Sequence, residues 1–293
     1  MINLDNAAFR TINQTPLAVQ ETGQGQPLVL VHGGVSDMRT WNNQVAPFAE
    51  RFRTIAYSRR YHLPNPAISP DVPDPIQTHV DDLAGLIEAC DGSPAHVIGH
   101  SWGGLIVLLL AMQRPEILRS AVLIEPPVVS VHVNVPPGIG QMIRLFIRSP
   151  GLAIAIAKLG GGALAAAEKA FRAGDDKTAI ERFGRGVLGD RRFEALTPER
   201  YQQVWDNRGA DRAQALYRGF PDLMNASFAR VSLPVLLLAG SESPAVFRLL
   251  SDDLAKRLPN ARTQIISGAS HMVQEDAASA FNEAVLKFLE TAG

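Results

Sequence analysis

A serine set between small residues is the first candidate for chemistry. Gly99-His100-Ser101-Trp102-Gly103 stands between a short apolar run and a longer one. With Gly and Ser each near 7% of residues, a G-x-S-x-G match arises by chance about 0.1 times in a chain this long. The setting carries more weight than the pattern. A tight strand-to-helix turn forces its serine into a strained backbone, and the flanking glycines relieve the crowding. The hydroxyl is then presented at the C-terminal end of a sheet, beside helix amides that favour negative charge. That is a nucleophile for acyl transfer, and the Trp102 N–H is the expected first oxyanion donor. The loop His32-Gly33-Gly34-Val35 follows another apolar run. It is of the kind that brings in a second amide, with Gly34 the first choice and Val35 the second.

A serine needs a base, and seven histidines are available. Only His271 falls after the last strand-like run and before the last helix, where the base arrives in a Ser…acid…His chain order. Its work is to take the Ser101 proton and return it to the leaving group. His79 lies in a helical pattern and His96 in a strand, so both read as structural. His32 reads as a loop brace and His100 as packing beside the serine. Both, with Gly33, are second-choice contacts for a substrate.

The acid is ambiguous. Its usual place, after the run Pro234 to Ala239, reads Gly240-Ser241-Glu242-Ser243-Pro244, with serine where aspartate is expected. Two carboxylates are left to stabilise the imidazolium. Glu242 is displaced by one position. Glu125 ends another strand-like run, directly before Pro126-Pro127, at the same sheet edge as Ser101. Glu125 is preferred.

The elements that must hold these groups alternate short apolar runs with amphipathic ones, the pattern of an α/β protein with a mostly parallel sheet. Six runs read as buried strands: Pro27 to Val31, Arg53 to Tyr57, Ala95 to Gly99, Ser120 to Glu125, Pro234 to Ala239 and Arg262 to Ile266. Phe9 to Asn13 and Leu17 to Glu21 read as a starting hairpin. Helices are expected at Pro75 to Cys90, Gly103 to Gln113 and Ala277 to Leu289. Residues 127–230 break the rhythm and read as helical, with pieces at Met142 to Ile147, Ala153 to Phe171, Thr178 to Val187, Pro198 to Asp206 and Arg212 to Tyr217. The expected division is a core of 1–126 and 231–293 with an inserted helical cap at 127–230.

Composition excludes more than it selects. The 293 residues carry 28 Lys+Arg against 29 Asp+Glu, so charge makes no case for nucleic acid or an acidic membrane as main partner. The single cysteine, Cys90, allows no intrachain disulfide and reads as packing. The longest apolar run, Leu105 to Met112, is too short to span a bilayer. No basic-then-apolar leader opens the chain, and a cytoplasmic protein is expected.

On the His32-Gly33-Gly34 loop, the Gly99 to Gly103 turn, Glu125, the helical insertion and His271, the chain resembles the α/β-hydrolase superfamily, in its branch of capped serine esterases and lactonases. Some members place the acid after the strand that follows the nucleophile's helix, where Glu125 falls. Epoxide hydrolases and haloalkane dehalogenases of this fold use an aspartate nucleophile, so Ser101 argues against both. The chain departs from the pattern at Ser58-Arg-Arg-Tyr-His-Leu-Pro-Asn65, where many relatives carry Asp-x-Arg-Gly-x-Gly-x-Ser. There Arg59 and Arg60 read first as loop braces and second as contacts for an anionic group of a substrate.

The expectation is a cofactor-independent, metal-free serine hydrolase acting on an apolar carboxylic ester or lactone, as a monomer or homodimer. Carbon–carbon bond hydrolysis or cofactor-free perhydrolysis uses the same constellation. A slow-turnover small-molecule receptor on this fold is the alternative from another class.

Overall fold

The computed structural model describes residues 2–69, 72–91, 93–217 and 219–292. Strands β1 (Ala8–Ile12) and β2 (Thr15–Thr22) form the expected antiparallel hairpin. Asn13 and Gln14 close it at φ 47° and 63°, the left-handed pair that suits a two-residue turn between twisted strands. The parallel strands follow: β3 (Pro27–Val31), β4 (Arg53–Tyr57), β5 (Ala95–His100), β6 (Leu118–Ile124), β7 (Val235–Gly240) and β8 (Ala261–Ile266). They complete one eight-stranded sheet in the order β1-β2-β4-β3-β5-β6-β7-β8, parallel from β4 onward.

Side-chain alternation feeds two cores. Val29 and Val31 of β3 enter the larger cluster on one face, while Leu28 and Leu30 enter the smaller one on the other. The larger cluster takes in α2 (Ile76–Ala89), α3 (Trp102–Gln113) and α11 (Ala245–Arg257). The smaller takes in α1 (Val45–Ala49) and, at the end of the chain, α12 (Val273–Asp276) and α13 (Ala278–Thr291). Helix α3 is buried nearly all round because β5 lies on one side and α2 on the other.

Between β6 and β7 the described residues contain no strand. This inserted helical region holds α4 (Ile139–Arg148), α5 (Pro150–Ala157), α6 (Ala165–Arg172), α7 (Asp176–Leu188), α8 (Asp190–Glu194), α9 (Pro198–Asp206) and α10 (Arg208–Leu216). Several expectations need correction. The last strand, β8, is an exposed edge rather than a buried strand, because no ninth strand covers it. Helix α11 was not foreseen, although Val246, Phe247, Leu250 and Leu254 carry a helical apolar spacing and are buried. The run from Pro150 to Arg172 is wider-wound at Lys158–Leu164, around three consecutive glycines that resist an ideal α-helix. It is long and apolar enough, by length and composition, to cross a bilayer, so Leu105 to Met112 is not the longest apolar stretch that matters.

Candidate active site

Three non-glycine residues with left-handed backbone stand just past the C-terminal ends of three neighbouring strands. They are Val35 after β3, Ser101 after β5 and Glu125 after β6, at φ 49°, 50° and 46°. Each such conformation costs about 1–3 kcal/mol and persists only where the surroundings over-determine it. At Ser101 the determinants are visible. Its N–H donates to the Ile124 carbonyl at 2.8 Å, and its carbonyl accepts from Leu105 at 3.1 Å to start α3. A Cβ at Gly99 would sit 2.5 Å from the Gly103 carbonyl oxygen, and one at Gly103 would sit 2.4 Å from that of Val31. Only glycine fits at either end of the turn.

Glu125 is fully buried, and both its oxygens are engaged. Oε1 accepts the Gly240 N–H at 2.9 Å, and Oε2 lies 2.5 Å from His271 Nδ1. The imidazole of His271 is stacked on Phe247 of α11 at 4.0 Å, so its ring plane is fixed from the side as well as from the end. His100 donates from Nε2 to the His271 carbonyl at 2.8 Å. It therefore ties the histidine's loop to the serine's turn, a larger task than the packing expected of it, and it also lines the pocket. Burial holds its imidazole well below the usual histidine range, so it stays neutral.

Glu242 goes elsewhere. It is exposed and takes Arg191 and Arg192 of the inserted region, the latter at 2.8 Å. It is not the carboxylate at His271 Nδ1.

The loop after β3 is braced as expected. His32 donates from Nδ1 to the Gly33 carbonyl at 2.8 Å, and its Nε2 accepts the Arg59 N–H at 2.9 Å. Burial and the Arg59 charge hold this imidazole neutral too. Arg59 is buried and donates to the carbonyls of His32 and Gly33 at 3.2 and 2.9 Å. Arg60 pairs with Asp82 through two bonds of 2.6 and 2.7 Å. Neither arginine lines the pocket, and neither does His32 or Gly33. Gly33 is instead pressed against Ser101, whose Cβ would lie 3.1 Å from any side chain there.

Of the two candidate amides in this loop, that of Val35 is already occupied. It donates to Asp211 Oδ1 of α10 at 2.7 Å. Asp211 is buried, its Oδ2 has no hydrogen-bond partner among the described residues, and burial raises its carboxyl to about 7. Sequence reasoning missed this residue. A lone aspartate on an amphipathic helix carries no motif, and only the fold brings it to the loop.

The pocket lies between these groups and the inserted helices. Gly34, Val35, His100, Ser101 and His271 form its sheet side. Ile180, Phe183, Val187, Leu188, Phe193 and Leu196 form an apolar roof. The free space between the two sides is narrow, about 30 Å³. Among the described residues no cluster of His, Cys, Asp or Glu is disposed to hold a metal ion.

Comparison with known proteins agrees with this architecture. Residues 28–284 match the model of the alpha/beta hydrolase family, and the chain belongs to that family. It is 28% identical to the AB hydrolase superfamily protein YfhM of Bacillus subtilis, over 96% of this chain and 97% of that one. A thermophilic esterase from Thermogutta terrifontis superposes with a TM-score of 0.73 at 20% identity, covering 98% and 99% of the two chains. The enol-lactonase from Burkholderia xenovorans LB400 does so at 0.71 and 20%, covering 97% and 100%. At such identities the likeness to these two structures is one of fold.

Proposed function

We propose that this chain is a serine hydrolase that cleaves a carboxylic ester or lactone through an acyl-enzyme on Ser101. The observation that carries the reading is the 2.5 Å contact between His271 Nδ1 and buried Glu125, at the edge where Ser101 is held in a left-handed turn. Ser101 Oγ attacks the carbonyl carbon as His271 Nε2 takes its proton. Glu125 keeps the Nδ1 proton in place and stabilises the imidazolium that forms. The oxyanion is received by the Trp102 amide, which as the first residue of α3 has no acceptor within its own helix, and by that of Gly34. His271 then protonates the leaving alcohol and activates the water that frees the acid. The apolar roof supports an apolar acyl or ring-bearing substrate. The fold's likeness to an esterase and a lactonase is consistent with that class of bond.

The test is a panel of esters and lactones with the wild type and Ser101→Ala, alongside labelling with a fluorophosphonate. Hydrolysis lost in the variant by about 10⁵-fold or more, with label on Ser101, is the expected result. Absence of both turnover and label in the wild type would sink the reading.

A further inference from the structure

Large apolar side chains in water are concentrated in one short stretch of this molecule. Nine are exposed among the described residues, and five of those fall between positions 139 and 154. Ile139, Ile143, Phe146 and Ile147 of α4 are 82%, 56%, 54% and 75% exposed, and Ile154 of α5 is 59% exposed. Spaced i, i+4, i+7, i+8, the four on α4 make one continuous face of that helix. Leu145 points the other way and is buried, so α4 is apolar on the arc that packs and again on the arc that does not. Nothing in the pocket uses this face. The roof over Ser101 comes from α7 to α9 and the segment between them, and α4 contributes no residue to it. The exposure extends along the chain, since only 28% of the most apolar window of the run Pro150–Arg172 is buried.

Charge around the face is one-sided. From Pro126 to Ala167 the sequence has no aspartate or glutamate. It has Arg144, Arg148 and Lys158, all exposed and none with an ion-pair partner among the described residues. Arg144 and Arg148 lie four apart on α4, about 60° and 100° around the helix beyond Ile147, where the apolar arc ends. The net charge of -1 conceals this asymmetry, because the compensating acids lie in other parts of the chain.

We infer that the α4–α5 face is a docking surface for an anionic lipid surface, on which the protein lies without crossing it. An amphipathic helix of this kind sinks its apolar residues to the headgroup boundary, and its flanking cations pair with phosphates. A second copy of the chain fits the face less well. Two-fold docking places the same patch against itself, and Arg144 and Arg148 would meet their own kind with no acid in the segment to answer them.

The test is co-sedimentation with vesicles of phosphatidylcholine alone and of phosphatidylcholine with phosphatidylglycerol in equal parts. The wild type is expected in the pellet with the anionic vesicles, released by high salt, and mostly in the supernatant with the neutral ones. Ile143→Glu with Ile147→Glu, and separately Arg144→Glu with Arg148→Glu, are each expected to lower partitioning at least about tenfold. All four residues are exposed, so melting temperature and circular dichroism should match the wild type and exclude misfolding as the cause. The inference is overturned if the wild type ignores anionic vesicles, or if the folded variants bind as it does. A lipid-free dimer that the Ile143→Glu, Ile147→Glu variant converts to monomer would also overturn it, assigning the face to a second copy.

Discussion

The sheet side carries each group of the proposed reaction past the end of a strand, and short contacts hold it there: Ser101 between Gly99 and Gly103, Glu125 between the Gly240 amide and His271, His271 between Glu125 and Phe247. The opposite wall carries no reacting group. It is a roof of aliphatic and aromatic side chains whose position depends on polar anchors at one end. Gln203 and Asn207 donate to the buried Asp37 at 3.1 and 2.8 Å, Asn207 accepts from the Leu63 amide at 2.8 Å, and Arg39 joins Asp37 to Asp206. In the proposed reaction, chemistry falls to the wall that backbone geometry fixes and selection among substrates to the wall built of side chains.

Substitutions on the two walls should therefore fail in different ways. Glu125→Gln should lower kcat by about 10³–10⁴-fold with little change in KM, because it removes the charge and misorients the imidazole without touching the roof. Steady-state kinetics on the best ester from the panel reads this out, and an unaltered kcat would break the contrast.

Asp211 crosses between the walls and gives the next largest effect. Its carboxyl is raised to about 7 in the folded protein against an ordinary 3.8. Between about pH 4 and pH 7 the folded state thus holds more protons than the unfolded one, and this group's effect is to lower stability as pH rises. Asp211→Asn keeps an acceptor for the Val35 N–H and abolishes the titration. Its melting temperature should gain on the wild type as pH is raised from 4.5 to 7.5, by the equivalent of about 3 kcal/mol. A difference that does not change with pH would place the titration elsewhere.

Asn207→Ala removes a roof anchor and deprives the Leu63 amide and the Gln203 carbonyl of their partner, while Asp37 keeps Arg39. It should cost about 2 kcal/mol of stability and raise KM more than it lowers kcat, with faster amide exchange in α9 and α10 as a direct readout. Smallest of all, Glu242→Gln should alter kcat by less than about twofold, since its partners are exposed arginines and such pairs contribute little. Loss of activity there, with Glu125→Gln active, would exchange the two acids.

The sheet wall was largely legible in the sequence because its signals are local. A serine between glycines, a His-Gly-Gly loop after an apolar run and a glutamate before two prolines each describe their own backbone. The roof was not legible in the same way. Helical spacing announced α7 and α9, but it does not say which arc faces the pocket, and Asp211 and Phe247 acquire meaning only from neighbours distant in sequence. The edge position of β8 was missed for a related reason. Strand order is a property of the whole sheet, and the sequence of β8 itself, with polar Arg262, Thr263 and Gln264 exposed, was the available clue.

The inserted helices leave the sheet after β6 and return to it in β7, and those two strands are hydrogen-bonded neighbours. The two strands run parallel, so the insertion leaves at the C-terminal end of β6, beside Ser101 and Glu125, and must cross back to the opposite end of the sheet before β7 begins. Helices within that crossover can be lengthened or exchanged, as long as it spans the sheet, while the register of β6 on β7, and with it the Glu125 contact to Gly240, is undisturbed.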